Sequence, residues 1–364
     1  MRPDRLRNLL QEMEARLVRA EKSYALNDSI LQKLTSTKAE VRRHLSKVDS
    51  IRIADVDALE QRIRNLQISD DSLGLPNLIL GMKIGLNQLG PEDLLEATPG
   101  QKLAAFSFEF EDGTLRVVDQ PLRPGLRERD IALAALEAAL EQGEYVNQDL
   151  AATNASPRLK EAFERLQATM RSHTNIVQIG ARAQICNRLV HGDIDELSTT
   201  LFSLLIGHIE SVFSALAQFE DWRVFAENAA ALNIDAGSVA KLVEGTAQLV
   251  RQIRNENIAD ESVADALDTA QAWVVEPNSP DKRDVLALAR SHENLWSIVT
   301  KALLAVGRDV FAAARKKLAS VILGALLLTA PVIIPLIGKV PGAQWIETVY
   351  DYFNAAKNKP SSVE

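Results

Sequence analysis

Cysteine is nearly absent from this chain of 364 residues, in which Cys186 is the only one. A single cysteine excludes an internal disulfide framework and a zinc site built from several thiolates, and it fits a reducing compartment. Aromatic residues make up 5% of the chain and there are 17 glycines, which is little for an all-β protein of this size. Alanine, leucine, glutamate and arginine are abundant instead. We therefore predict a mainly α-helical fold.

The common signatures of enzymes are also missing. The sequence contains no GxxxxGK[ST] phosphate loop, no HExxH zinc motif, no GxSxG nucleophile elbow and no Rossmann glycine pattern. We predict a non-enzymatic protein with no cofactor and no metal site. The N-terminus is charged, and Glu12 and Glu14 interrupt the leucines that follow it, so we predict no signal peptide.

The charge of the chain is unevenly distributed. Its net charge is −8, which argues against general attraction to nucleic acid. Residues 1–68 carry 14 lysines and arginines against 10 aspartates and glutamates, so this part is basic and the remainder is acidic. Glutamates lie among the arginines of the basic part and aromatic residues for base stacking are lacking. We predict solvated, ion-paired helix faces there, with a protein partner or a second copy of the chain on the apolar side.

Composition divides the chain into six segments that together predict a multi-helix bundle with one β-hairpin and a C-terminal hydrophobic membrane segment. We predict a basic amphipathic helical arm or coiled coil over 1–68, a linker with short helices over 69–101, a β-hairpin over 102–122, a helical domain ending in a long helix from about 280 over 123–317, a transmembrane or re-entrant segment over 318–338, and an aromatic interfacial helix and tail over 339–364.

Local signals predict where several of these elements begin and end. Phenylalanines alternate with polar residues from Phe106 to Phe110, and Asp112-Gly113 supplies a hairpin turn that must pack on helices to be stable. Ser156-Pro157 predicts a helix start, and Gly143 predicts a helix end.

Two capping-box spacings predict further helix starts. Thr37 with Glu40 predicts that a helix continues or restarts there, and Asp193 with Glu196 predicts a cap for the helix after His191.

The most informative segment is 318–338, where 21 residues pass without a charge. That length suffices to cross the hydrocarbon core of a bilayer. Two prolines within it predict a kink or a break, so the segment either crosses with a kink or dips in and returns. The residues predicted to insert are Leu318, Val321, Ile322, Leu323, Leu326, Leu327, Leu328, Pro331, Val332, Ile333, Ile334, Pro335, Leu336 and Ile337.

Basic and aromatic residues flank this segment on both sides. More positive charge precedes it than follows it, so the positive-inside rule predicts that the N-terminal bulk is cytoplasmic. The aromatic residues that follow suit the depth of lipid headgroups. The residues predicted to lie at the interface are Arg315, Lys316, Lys317, Lys339, Trp345, Tyr350, Tyr352 and Phe353.

One short motif points to a different class of function. Asn187-Arg188-Leu189-Val190-His191-Gly192 resembles the Arg and His motif of the HEPN ribonucleases, although the family usually places four to six residues between the two. The resemblance implies metal-independent RNA cleavage by Arg188 and His191. The alternative interpretation is that His191-Gly192 ends one helix before the next begins.

The sequence thus supports three hypotheses. The first is a non-enzymatic, membrane-associated interaction or effector protein whose C-terminal segment anchors in or permeabilises the bilayer; a toxin-like or defence effector is one form of this hypothesis. The second is the HEPN-like ribonuclease. The third is a soluble helical scaffold that buries the apolar segment in its own fold or in an oligomer.

Overall fold

The structure, a computed structural model, describes residues 3–23, 28–48, 51–66, 73–86, 91–118, 129–172, 175–256, 258–274, 281–304 and 312–357. The described residues are mainly helical with one small two-stranded sheet, as predicted. The elements in chain order are α1 Pro3–Ser23, α2 Asp28–Leu45, α3 Ile53–Arg64, α4 Leu75–Gly85, α5 Pro91–Ala97, β1 Ser107–Glu111, β2 Thr114–Val118, α6 Arg129–Ala151, α7 Pro157–Ser172, α8 Ile176–Gly192, α9 Thr199–Leu216, α10 Glu220–Ala230, α11 Ala236–Glu256, α12 Glu261–Trp273, α13 Lys282–Leu304, α14 Ala312–Ile337 and α15 Trp345–Lys357.

The chain forms two compact units. One consists of Met1–Gly100 with Trp296–Glu364, and the other of Gln101–Leu295. The first unit therefore joins the N-terminal helices to α14 and α15, and α13 contributes to both units. The predicted continuation of the helix from about 280 into the apolar segment passes through residues 305–311, which lie outside the described residues.

The first unit is built around the apolar faces of α1 to α4. On α1 the residues Leu6, Leu10, Met13 and Leu17 are buried at the spacing of three and four that the sequence predicts. The α2 helix is continuous, so a restart at Thr37 is wrong: its hydroxyl donates to the carbonyl oxygen of Lys33 at 2.9 Å instead of capping a new helix.

Ion pairs occupy the outer faces of these helices, as the sequence predicts for the basic arm. Arg42 bonds Glu14 at 2.5 Å and Lys38 bonds Glu21 at 2.5 Å, each joining α2 to α1. The Arg42 side chain is exposed, and an ion pair at an exposed position typically contributes below about 1 kcal/mol, whereas Lys38 and Glu21 are both half-buried.

The second unit packs its hairpin on a helix. Strands β1 and β2 are antiparallel, and the turn residues Asp112 and Gly113 have φ values of 48° and 82°, which favour glycine or a short polar residue. The side chains of Phe108 and Leu115 are fully buried, and the Leu115 carbonyl accepts a hydrogen bond from the Asp260 amide at 2.9 Å. The predicted hairpin is confirmed, and it packs on α12.

Helix α13 is buried along most of its length and carries an unusual number of polar residues. The Asn294 side chain accepts from the Lys102 amide at 2.7 Å and donates to the carbonyls of Lys102 and Phe106 at 2.8 and 3.0 Å. The His292 ring contacts the Thr246 hydroxyl at 2.8 Å. These bonds tie the segment before the hairpin to the helix, which explains the polar character of a buried surface.

Two predicted helix boundaries in this unit are wrong. Helix α6 continues past Gly143 to Ala151. The glycine does not end the helix; it allows the side chains of Gln167 and His208 to approach the helix backbone closely. Asp193 lies at the N-cap position of a short 3-10 helix, Ile194–Glu196, but its side chain makes no capping bond there. Helix α9 begins after this turn and is capped by Ser198, whose hydroxyl accepts from the Leu201 amide at 3.2 Å. The predicted start of α7 at Ser156 is confirmed by the hydroxyl that accepts from the Leu159 amide at 3.2 Å.

Candidate membrane-binding helix

Two described helices are long and apolar enough to cross a membrane by length and composition, α9 over Thr199–Leu216 and α14 over Lys316–Ile337. The sequence pattern predicts a membrane segment in the second helix but not in the first. Both are partly buried in the folded chain, so each is also compatible with a core helix of a soluble protein. The character of the exposed face distinguishes them.

The exposed face of α9 is polar. Ser203, Glu210 and Ser214 lie on it at helical spacing, while Leu205, Ile209 and Val212 are buried on the other side. A carboxylate in the middle of a span is costly in hydrocarbon. Helix α9 therefore has the pattern of an ordinary amphipathic core helix.

The exposed face of α14 is uncharged between Lys317 and Lys339, and apart from Ser320 it is apolar. Val321 is 40% exposed and Leu328 is 58% exposed, and they are among the most exposed large hydrophobic residues of the described chain. The exposed Pro331 and Pro335 continue the same side of the helix. Together with the half-buried Gly324, these residues form what we call the α14 stripe.

The spacing of the α14 stripe gives it a defined length and two basic ends. The positions 317, 321, 324, 328, 331 and 335 advance by four and three residues alternately, which keeps them on one side of a helix. At 1.5 Å per residue the stripe from Val321 to Pro335 is roughly 21 Å long, and the uncharged part of the helix from Leu318 to Ile337 is roughly 29 Å long, close to the hydrocarbon thickness of a bilayer of about 30 Å. Lys316 and Lys317 are exposed at one end and Lys339 beyond the other.

The helix passes through both of its prolines, so the predicted break is wrong. Helix α14 extends to Ile337 with Pro331 and Pro335 inside it. A proline removes one backbone hydrogen bond and crowds the carbonyl four residues earlier. Both prolines are on the exposed side, where the helix can bend away from its packed face and keep its course.

The opposite face of α14 is buried and equally apolar. The side chains of Ile322, Leu326 and Ile333 are at most 1% exposed, and α15 is the described element with the most extensive backbone packing against α14. Thr329 is the polar residue of this face, and its hydroxyl donates within the helix to the Ala325 carbonyl at 3.2 Å. The other residues predicted to insert divide between these two faces: Leu323, Ile334, Leu336 and Ile337 are buried, and Leu318, Leu327 and Val332 are half-buried.

The predicted interfacial aromatics lie on α15 and are largely covered. Trp345 is fully buried, whereas Tyr350, Tyr352 and Phe353 are half-buried, and the rings of the last two meet edge to face with centroids 5.3 Å apart. An interfacial role for Trp345 requires a conformation other than this one. The side chain of Arg315, also predicted to lie at the interface, is outside the described residues.

The residues of the HEPN-like motif have structural partners. Arg188 forms an ion pair with the buried Asp284 and donates to the Trp273 carbonyl at 3.0 Å. His191 is exposed, its Nδ1 lies 2.8 Å from the Asn187 carbonyl oxygen, and its ring meets Phe202 at 5.8 Å. The half-buried Arg188 side chain thus bonds to buried groups of its unit, while His191 is exposed to solvent.

Burial governs the ionisation of the groups nearby. It raises the pKa of Asp284 to about 7, although the charge and hydrogen bond of Arg188 act in the opposite direction. It also raises the pKa of the Cys186 thiol, which suits an inert packing residue better than a nucleophile.

The two buried histidines are deep in the same unit. Desolvation lowers the pKa of His208 and of His292 to about 4 in each case, so both are neutral at physiological pH. Within the described part of the chain, no three histidine, cysteine, aspartate or glutamate side chains are grouped to hold a metal ion. The chain matches no family model, no curated protein and no solved structure.

Proposed function

We propose that this chain is a non-enzymatic, membrane-associated helical protein that contacts the bilayer through the α14 stripe. The observation that carries the proposal is the exposed, uncharged face of α14 between Lys317 and Lys339. Apolar residues scattered singly over a surface are ordinary, whereas an aligned row that ends in basic residues marks a contact surface. The complementary partner is a lipid surface with anionic headgroups at the ends and hydrocarbon along the row.

The expected energies fit reversible attachment. Transfer of the exposed parts of Val321 and Leu328 out of water contributes on the order of 1 kcal/mol each. Each lysine near an anionic surface adds about 1 kcal/mol. The sum, several kcal/mol for the stripe and its three lysines, is enough for peripheral binding.

The test is flotation with vesicles that contain anionic phospholipid. The variant Val321→Glu with Leu328→Glu places two carboxylates on the stripe at exposed positions, so the fold is retained and binding falls at least tenfold. Val224→Glu is the matched control, because Val224 on α10 is 48% exposed and belongs to the other unit. Equal flotation of the two variants would exclude the stripe as the contact.

The orientation and the effector role belong to the same proposal. The lysines that precede the stripe, with Arg315, outnumber the single Lys339 close behind it, and this asymmetry supports a cytoplasmic N-terminal bulk. An anchored helical body of this kind serves as an interaction or effector protein, with a protein partner or a second copy bound through its helices. Protease treatment of sealed vesicles carrying the protein tests the orientation.

The soluble-scaffold hypothesis is the second candidate, and the buried face of α14 favours it. It predicts that the wild-type protein stays unbound in flotation and that the double glutamate variant behaves like the wild type. The ribonuclease hypothesis receives no such support, since Arg188 pairs with Asp284 in the interior.

A further inference from the structure

The first unit has a layered construction. One cluster of buried residues from α1 to α4, together with Val48, Leu66 and Leu73, forms a hydrophobic core. Among the residues that the structure describes, none in this cluster belongs to α14 or α15. Helix α15 packs on α4 and α1 packs on α4, whereas α14 packs most extensively on α15. Among the described elements, α15 therefore provides the most extensive connection between α14 and α4.

The contact between α15 and α4 is close and contains a glycine. A Cβ atom placed on Gly81 of α4 would lie 3.6 Å from the Thr348 hydroxyl oxygen and 3.4 Å from a methyl group of Leu9. Thr348, Ile346 and Val349 of α15 are all at most 5% exposed. This seam, defined by Gly81 and Thr348, fixes α15 to the core.

The two faces of α14 are chemically alike. The buried face contains one hydroxyl, that of Thr329, and its hydrogen bond stays inside the helix. No charged side chain lies between residues 318 and 338. Apart from its ends and the two carbonyls that Pro331 and Pro335 leave without an amide donor, a helix bonds its backbone groups internally. Moving the buried face from protein into hydrocarbon therefore adds no further unsatisfied backbone group.

We propose that α15 is a latch and that α14 has two membrane states. With the seam closed, α14 binds the lipid surface in plane through its stripe; with the seam open, both faces of α14 enter the hydrocarbon and the helix crosses it. This inference depends on the membrane contact proposed above, and it adds the regulation of that contact. Opening also frees Trp345 from the interior, which supplies the conformation that its predicted interfacial role requires.

The experiment locks the seam with a disulfide. In a Cys186→Ala background, Gly81→Cys with Thr348→Cys places two thiols where the Cβ at 81 and the side-chain oxygen at 348 are already neighbours. The purified full-length protein is bound to anionic vesicles in oxidised and reduced form and then washed with alkaline carbonate, which removes peripheral but not inserted protein. Each single-cysteine variant is the control for the chemistry.

The expected result separates binding from insertion. Both forms float with the vesicles, but the oxidised form is washed off and the reduced form leaves a carbonate-resistant fraction at least five times larger. A second variant, Thr348→Glu, opens the seam by placing a carboxylate in it and raises the resistant fraction above that of the wild type. Circular dichroism confirms that its helices are retained.

Each of three outcomes would overturn a different part of the proposal: the latch, the inserted state or the membrane contact. Equal carbonate resistance of the oxidised and reduced forms overturns the latch, since insertion then needs no opening. Complete removal of the reduced form and of Thr348→Glu, both of which float, overturns the inserted state and leaves the peripheral contact intact. Failure of every form to float overturns the membrane contact itself.

Discussion

Helices α9 and α14 are both long and apolar enough to cross a membrane, yet they present opposite surfaces to solvent. The exposed side of α9 contains Ser203, Glu210 and Ser214, and that of α14 contains Val321 and Leu328. Hydrophobicity summed over a helix cannot separate a core helix from a membrane helix, because both bury apolar residues. The exposed side distinguishes them, because the polar exposed side of α9 suits contact with water and the apolar exposed side of α14 suits contact with lipid.

The glycines of the two regions extend this comparison. Gly207 lies on the exposed face of α9 and Gly324 on that of α14, and an added Cβ meets no atom within 4 Å at either position. Gly143 faces α9 from α6, and there an added Cβ would lie 2.2 Å from Gln167 Oε1 and 2.9 Å from the His208 ring. The same residue type thus marks a tight helix crossing in one place and open surface in the others.

The largest effect is expected at the tight crossing. Gly143→Leu forces the buried Gln167 and His208 side chains apart and should lower the free energy of unfolding by about 3 kcal/mol, as overpacking of a core does. Urea unfolding followed by circular dichroism measures the loss. Gly207→Leu is the control and should leave the midpoint within the range of ordinary surface substitutions. A stable Gly143→Leu protein would contradict the close packing of α6 on α9.

An intermediate effect on the free energy of unfolding is expected from a change of pH. It acts through buried ionisable groups of the second unit, which have no counterpart on α14. In the unfolded chain, histidines bind protons below about pH 6.5, whereas folded His208 and His292 have pKa values of about 4 and stay neutral until the pH falls that far. Between pH 6.5 and 4, protonation therefore favours the unfolded chain, and the free energy of unfolding falls as the pH is lowered. Asp284 acts in the opposite direction: its raised pKa of about 7 lets the folded state keep one proton that the unfolded carboxyl releases.

Between pH 4 and 6.5, unfolding lets the two histidines bind two protons and makes Asp284 release one. From pH 6.5 towards 4 these three groups should lower the free energy of unfolding by roughly 1.4 kcal/mol per pH unit. His292→Gln removes one histidine and should make this slope nearly flat, while the amide can still bond Thr246. Urea unfolding at several pH values measures the slope, and an unchanged slope in the variant would show that His292 is protonated in the folded protein.

The elements that could be predicted from the sequence depend on local patterns. The burial of Leu6, Leu10 and Met13 on α1 follows from their spacing, and the hairpin follows from alternating phenylalanines and Asp112-Gly113. The role of Gly143 could not be predicted in the same way. A glycine gives the same local signal whether it ends a helix or lets another side chain pack against the helix backbone, and only the tertiary structure distinguishes the two.

The properties of the candidate site were less accessible to the sequence. Apolar residues surround α14 on all sides, so no periodic pattern shows which side is exposed. The partners of Arg188 are similarly non-local, because Trp273 and Asp284 lie far along the chain from it. An Arg and His spacing describes a motif but not the direction in which the arginine points.

The smallest effect is expected from adding one side chain to each exposed face. Gly324→Leu enlarges the α14 stripe by one leucine, while Gly207→Leu adds the same leucine beside Ser203 and Glu210. Partial burial of a leucine in the lipid interface contributes about 1 kcal/mol, so vesicle binding should rise about fivefold for Gly324→Leu and stay unchanged for Gly207→Leu. Lipid titration followed by sedimentation measures both. An equal rise in the two variants would mean that any exposed leucine binds lipid, and the contrast between α9 and α14 would lose its functional meaning.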